Sequence, residues 1–498
     1  MEPMEPMEPM EPRSGRRSRE LHAAVDLGAG SGRVVVGEVS PSAVRFEEAH
    51  RFHYAPRHID GRLRWDIAQL FDGLRTGLRR ASEAARAAGL ELVSAGVDSW
   101  GVDYGLIDGS GELVEEPVCY RDDRTAGLMD EIFSRVGRDE IFARTGIQFL
   151  QFNTLFQLAA HARDGLPSQA ARLLLIPDLC HHLLCGASSS ERTNGSTTQL
   201  LNVRTSEWDD ELVARVGLRR DLLPGLVDAG TDLGTLAPEL QRTLALAPLR
   251  IIAPATHDTA SAVVGTPLEP GWAYISSGTW SLVGVERDAP LVGQEVLAAN
   301  FTNERGAGRT FRFLKNVTGM WILERCRDEW RRAGAEHDRS ILIEKASGRT
   351  SRVPLIDPDA PRFFNPPDMI TEVRAALAGQ GGDVSDDPAF LTKVILDSLA
   401  ARYASVVQTI EALTDTRVPG VHVVGGGSQN AYLNQATANA LGRPVVAGPI
   451  EATALGNLLM QSLACGKIAS IAEGRRAIAQ SLALRRFEPQ QGSAASDQ

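Results

Sequence analysis

Residues 256–280 constrain this chain more than any other stretch. They read Thr256-His257-Asp258-Thr259-Ala260-Ser261-Ala262, a short spacer, then Tyr274-Ile275-Ser276-Ser277-Gly278-Thr279-Trp280. An aspartate set among small residues precedes a strand that runs into a Ser-Ser-Gly-Thr turn. Such a turn can aim backbone N–H groups at an anion. The start of the chain carries the same strand–turn–strand pattern: Ala23-Ala24-Val25-Asp26-Leu27, then Gly28-Ala29-Gly30-Ser31-Gly32-Arg33, then a second apolar strand. These glycines join two strands, whereas a dinucleotide-binding fingerprint uses them to open a helix. Asp26 ends the first strand, where it can hold Mg²⁺ through water, because magnesium binds few protein carboxylates and keeps its waters. Each acid also has a plainer reading. Asp26 fits a capped hairpin, and Asp258 before Thr-Ala-Ser-Ala fits a helix N-cap.

Composition narrows the partners. The 498 residues allow two or more domains, and 43% apolar with 23% charged residues is ordinary for a soluble globular protein. A formal net charge of -11 offers no basic field to nucleic acid. There is no run of about eighteen apolar residues, so no membrane-spanning helix is expected. The five cysteines are scattered, without a C-x-x-C pair, which points to a reducing compartment, the cytoplasm. Cys180-His181-His182 with Cys185 has the residue types of a zinc site, but Leu179, Leu183 and Leu184 make it read as a turn of core helix. Lysine occurs only at Lys315, Lys345, Lys393 and Lys467. The only Gly-Lys pair, Gly466-Lys467, precedes isoleucine, so the chain has no G-x-x-x-x-G-K-[ST] phosphate loop.

In chain order, residues 1–20 hold Met-Glu-Pro repeats and an Arg/Ser-rich piece that cannot pack, and read as a disordered tail. A third strand follows over 44–52, then a helix capped by Asp66 with Gln69 and ending at Gly89. A strand over 92–97 leads into Asp98-Ser99-Trp100-Gly101-Val102-Asp103-Tyr104. Tyr120-Arg121-Asp122-Asp123-Arg124-Thr125 reads as a helix opening. The loop 146–153, with Gln148, Phe149, Gln151, Phe152 and Asn153, has the stacking faces and amides of a sugar pocket, though its aromatics also suit a core. No role follows for the polar loop 193–199. The segment 236–249 reads as a crossing between domains, and the second half opens on a strand over 250–253. Ile395, Leu399, Tyr403, Val406, Ile410 and Leu413 recur at helical spacing over 391–414. A strand over 421–424 then meets Gly425-Gly426-Gly427 and a helix.

Taken in order, Asp26 with its glycine turn, His257-Asp258-Thr259, residues 276–280 and residues 424–430 resemble the FGGY carbohydrate kinases, part of the actin-like ATPase superfamily. Residues 98–104, 146–155, 448–452 and 455–457 are most similar to the rhamnulokinase branch. The resemblance spans residues 22–488. It implies an α/β fold of two ribonuclease H-like domains, 21–248 on the phosphate, magnesium and sugar side and 249–488 on the catalytic and adenosine side, with the active site in the cleft between them. A frayed tail, 489–498, follows.

The resemblance further implies ATP-dependent phosphorylation of a ketose, L-rhamnulose at O1, with ATP and Mg²⁺, by a cytoplasmic monomer or small homo-oligomer. Asp258 would be the catalytic base. Ala29, Gly30, Ser31, Gly32, Arg33 and Thr279 would face the ATP phosphates, Gly426 the adenosine. Gly101, His257, Asp258, Thr259 and Asn316 would line the sugar site. Competing readings are another ketose or polyol, such as fuculose, xylulose or glycerol, an actin-like ATPase without a sugar, and a sugar-sensing regulator on an inactive kinase fold. The pattern is broken at Glu324, where an amide is expected near the nucleotide; an ionised carboxylate cannot donate a hydrogen bond there.

Overall fold

The computed structural model describes residues 20–379 and 384–490. The N-terminal tail, except Glu20, and most of the C-terminal one lie outside them. Glu20 itself already pairs with Glu91 as the first strand begins. Among the described residues no helix is long and apolar enough to cross a membrane.

Two sheets carry the chain. The first runs, edge to edge, Asp232–Thr235, Arg250–Ile252, Glu91–Ser99, Glu20–Leu27, Ser31–Ser40 and Ala43–His53. Its last three strands form an antiparallel meander, and Glu91–Ser99 returns parallel to Glu20–Leu27. The second runs Thr302–Arg305, Phe311–Thr318, Trp280–Arg287, Ala273–Ser277, Val421–Val424, Val445–Ala447 and Arg485–Phe487. Ala273–Ser277 and Trp280–Arg287 are antiparallel, and Val421–Val424 returns parallel to Ala273–Ser277. The strand–turn–strand pattern is thus the same corner in each sheet.

The central strands are apolar along their whole length because helices cover both faces. Ala23, Ala24, Val25 and Leu27 are fully buried. On one face lies Ile67–Ala87, whose buried stripe is Ile67, Leu70, Leu74, Leu78, Ala81 and Ala85, and whose N-cap Asp66 accepts from the Gln69 N–H. A Cβ at Gly73 or Gly77 would strike Phe52 or Val34, so those glycines let this helix lie close. The opposite face is covered by Ala452–Ala464, a helix from the far end of the chain. Its Asn457 and Gln461 reach buried polar groups of the sheet: Asn457 donates to Asp98 at 2.6 Å and Gln461 to the Ala23 carbonyl at 2.9 Å. The same helix crosses Asp258–Val264 so closely that a Cβ on Gly456 would lie 1.8 Å from the Ser261 carbonyl oxygen.

Four expectations change. Arg250–Ile252 does not open the second half; it pairs with Glu91–Ser99 and completes the first sheet, so the chain crosses after Ile252 and not within 236–249. Short apolar strands carry no mark of which sheet will accept them. Residues 120–125 form only a single tight turn, Asp123–Thr125, because Asp122 spends its carboxylate on the N–H groups of Arg124 and Leu63; the helix Leu128–Arg135 follows left-handed Gly127. The triple glycine leads first into a tight turn, Gly426–Gln429, and then into Ala431–Leu441. Asp258 is the first residue of its helix and His257 the cap. The helix expected over 391–414 is observed as Pro388–Thr414, capped by Asp387.

Cys180 and His181 lie buried in Ile176–Cys185. His181 Nε2 accepts from the Val97 N–H at 3.1 Å, and burial pushes its pKa down to about 3, so it is a neutral core histidine.

Candidate active site

The two corners face each other across a cleft of about 330 Å³. In the first corner the Gly28 N–H is used by the Ser31 carbonyl at 2.9 Å; in the second the Gly278 N–H is used by the Trp280 carbonyl at 2.9 Å. The next amides, Ala29 and Thr279, donate to no described residue, and both residues line the cleft. Two N–H groups with no described partner, on opposing turns of one cleft, are available to an anion. Gly425, at φ 78, and Gly427 let the neighbouring turn pack against Ser277, since a Cβ on Gly427 would sit 2.0 Å from its Oγ. Gly426 has open space beside it.

Asp258 stands at the base of the cleft, with its Oδ1 accepting from the Thr259 N–H at 2.5 Å. Burial, with Asp26 nearby, raises its pKa above the usual carboxylate range, partly offset by His257 and Thr259. The loop 193–199 and the strand before it fix this segment from behind. Glu191 accepts from the Thr256 N–H at 3.0 Å, and the His257 N–H donates to Thr193 Oγ1 at 3.2 Å. Sequence alone gave that loop no role.

The wall beyond Asp258 is polar. Gln148 Oε1 accepts from both the N–H and the Nδ2 of Asn316, each at 3.0 Å, tying the 146–153 loop to the second sheet. Asn153 Nδ2 donates to the Gln148 carbonyl and to Gln199 Oε1. Gly101 abuts Thr197, whose Oγ1 a Cβ there would approach to 2.9 Å. Tyr120 and Phe152 meet Trp280 and Phe364 at the rim, with Phe152 and Phe364 stacked at 6.2 Å.

Ala29, Gly101, His257, Asp258, Thr259, Thr279, Asn316 and Gly426 all line this cleft. Gly30, Ser31, Gly32, Arg33 and Asp26 do not form its lining. The space beside Gly32 is taken by the Phe52 ring. Arg33 donates to Asp26 at 2.6 and 2.8 Å and pairs with Glu451, which commits its charge. Glu324 pairs with Arg327 and Arg339, away from the cleft lining. Sequence reading places Asp98 and Glu451 in stretches that carry the resemblance but gives them no role, and it passes over Thr302, Glu304 and Arg312. Asp98 lies opposite Asp26 in the sheet, and its Oδ1 is buried with no hydrogen-bond partner among the described residues. Burial and Asp26 raise its pKa well above the carboxylate range.

The pattern matches known proteins over most of its length. Residues 21–265 match the N-terminal domain of the FGGY family of carbohydrate kinases, and residues 273–465 match its C-terminal domain. The chain belongs to the FGGY family. Among relatives of this FGGY kinase, the rhamnulokinase of Bacteroides thetaiotaomicron is 40% identical over 470 residues, covering 94% of this chain and 95% of the relative. That of Pectobacterium carotovorum is 42% identical over 472 residues, covering 94% and 92%. The fold matches a ligand-bound xylulose kinase from Lactobacillus acidophilus with TM-score 0.76 at 14% identity, covering 95% of this chain and 94% of that one. It also matches a Plasmodium falciparum glycerol kinase with ADP, TM-score 0.73 at 13% identity, over 95% and 94%.

Proposed function

We propose that this FGGY kinase transfers the γ-phosphoryl group of ATP to O1 of L-rhamnulose, giving L-rhamnulose 1-phosphate and ADP. The observation that carries this is Asp258 lying in one cleft with the two free turn amides of Ala29 and Thr279. An acceptor for a hydroxyl proton and a cradle for the phosphoryl oxygens are the two things this transfer needs. The choice of rhamnulose over other ketoses rests on relatives at 37–42% identity.

Phosphoryl transfer passes through a loose transition state, so positioning and charge neutralisation supply most of the catalysis. O1 attacks the γ-phosphorus, the bond to the bridging oxygen breaks, and ADP leaves. Asp258 orients the hydroxyl and takes its proton late. The Ala29 and Thr279 amides hold phosphate oxygens, and Gly426 leaves room for the adenosine. Asn316 and the loop at Gln148 position the ketose.

The acidic ground behind the cradle suits Mg²⁺. Asp26 and the unpartnered Asp98 Oδ1 adjoin, yet among the described residues no three such side chains could cage an ion directly. Asp26 would hold the ion through its waters, with the buried Asp98 behind it. When bound, Mg²⁺ neutralises charge on the phosphates.

Two outcomes check the proposal. A coupled assay over L-rhamnulose, L-fuculose, D-xylulose, L-ribulose and glycerol is expected to give the highest kcat/KM with L-rhamnulose; ATP hydrolysis that ignores all five sugars would overturn it. The pH profile is the second. Only ionised Asp258 accepts a proton, so kcat/KM rises with pH through the raised pKa of the free protein. The acid limb should therefore lie above the range of a free carboxylate, near 4. A limb at or below that value contradicts the assignment.

A further inference from the structure

Behind His257 the sugar end of the cleft holds a buried charge cluster. Thr302 and Glu304 alternate on the edge strand Thr302–Arg305, so both side chains point to one face, and both line the cleft. Thr302 is fully buried, and its Oγ1 has no hydrogen-bond partner among the described residues. Glu304 is 5% exposed. Its cross-strand partner is Arg312, a guanidinium with no exposure, whose Nη2 lies 3.0 Å from Glu304 Oε2 and 2.9 Å from His257 Nδ1.

Arginine can only donate. Its Nη2 therefore donates to His257 Nδ1, which leaves the imidazole proton on Nε2, 3.5 Å from Asp258; its contact with Glu304 Oε2 is an ion pair, and that oxygen has no hydrogen-bond partner among the described residues. Burial alone would raise the Glu304 carboxyl, but the Arg312 charge holds it below its ordinary range. The carboxylate is thus kept ionised, and no described residue donates to its Oε1. Asp258 and Glu304 flank the same imidazole from its two nitrogens.

A core that leaves a buried hydroxyl unbonded and keeps a buried carboxylate charged is costly unless a ligand completes both. We propose that Thr302 and Glu304 read secondary hydroxyls of the ketose, at the end of the sugar away from the oxygen that Asp258 serves. An ionised carboxylate accepts hydroxyl protons with charge-assisted bonds, and the threonine can donate or accept. Arg312 is a positioning residue: it fixes the charge of Glu304 and the tautomer of His257. A pocket that bonds a hydroxyl rejects analogues lacking it strongly, because its own polar groups are then stranded. This edge therefore sets which ketoses are accepted. The inference rests on the sugar-kinase reading above.

The test measures KM, kcat and ketose and ATP affinities for the unmodified protein, Glu304→Gln and Thr302→Val. Ketoses with and without one secondary hydroxyl are compared. Glu304→Gln is expected to raise the ketose KM about tenfold or more, leave the ATP affinity unchanged, and shrink the preference for the hydroxylated sugar. Thr302→Val keeps the shape, removes only the unbonded hydroxyl, and should raise the ketose KM several-fold. An unchanged KM and unchanged preference in Thr302→Val overturns the assignment, whether or not Glu304→Gln folds. If the unmodified protein binds ATP but no ketose, the sugar-kinase reading falls, and this inference with it. Ketose binding that neither variant disturbs overturns the inference alone.

Discussion

Asp258→Asn is expected to lower kcat for ketose phosphorylation by about 10²–10⁴, roughly 3–5 kcal/mol, with ATP affinity unchanged. The substitution is structurally mild. Asp258 Oδ1 accepts from the Thr259 N–H and Oγ1, at 2.5 and 3.1 Å, and the asparagine carbonyl can take both bonds. Asparagine is also well tolerated at a helix start. What is lost is the negative charge and, with it, the capacity to take a proton. The cradle amides of Ala29 and Thr279 lie on other segments and are untouched. Steady-state kinetics with calorimetric titration of ATP checks this. Retained turnover would show that another group accepts the proton, and lost ATP binding would show that Asp258 acts through the fold.

Gly456→Ala should cost about 3 kcal/mol or more of stability and most of the activity. In an exposed helix the same change would gain about 1 kcal/mol from helix propensity. Here the added methyl would lie 1.8 Å from the Ser261 carbonyl oxygen and 2.9 Å from the Gly265 nitrogen. Those are backbone atoms and cannot rotate aside, so the two helices must separate. Gly265 faces the same crossing, with a Cβ there 2.1 Å from the Ala452 carbonyl oxygen. Ser261 lies one turn beyond Asp258, so the displacement also moves the carboxylate away from the turns. Gly348→Ala is the control: φ is -70°, and no atom outside its chain neighbours lies within 3.7 Å of the new methyl. Thermal unfolding should fall by several degrees for Gly456→Ala and stay level for the control. Equal stabilities would mean the crossing is looser than described.

Much of this architecture was legible because its signals are local. The helical spacing of Ile395 through Leu413, the cap at Asp66, and two glycine turns between apolar strands each state their own conformation. Asp258 and Thr279 could be singled out for the same reason. What stayed hidden depends on register and long-range docking. Glu304 and Arg312 are an ion pair only because Thr302–Arg305 pairs with Phe311–Thr318 in one register, and a slip of one residue would turn Glu304 to the other face. Alternating Thr302 and Glu304 was the available hint. Arg33 looked free to meet a phosphate because its pairing with Glu451 spans most of the chain. Arg250–Ile252 was assigned to the wrong sheet since so short a strand, with only Ile251 and Ile252 apolar, fits either one.

The placement of Ala452–Ala464 on the first sheet bears on how the protein is made. A ribosome that has released residues 21–265 has delivered every strand of that sheet but not the helix covering its second face. Until then Ala24 and Val35 lack their cover, and Ser94 and Asp98 lack the amides of Gln461 and Asn457. Domains usually fold in order as they emerge. This chain cannot finish packing its first sheet until Ala452–Ala464 has been synthesised. The early portion must wait in an incomplete state, with an apolar sheet face open to chaperones or to other nascent chains.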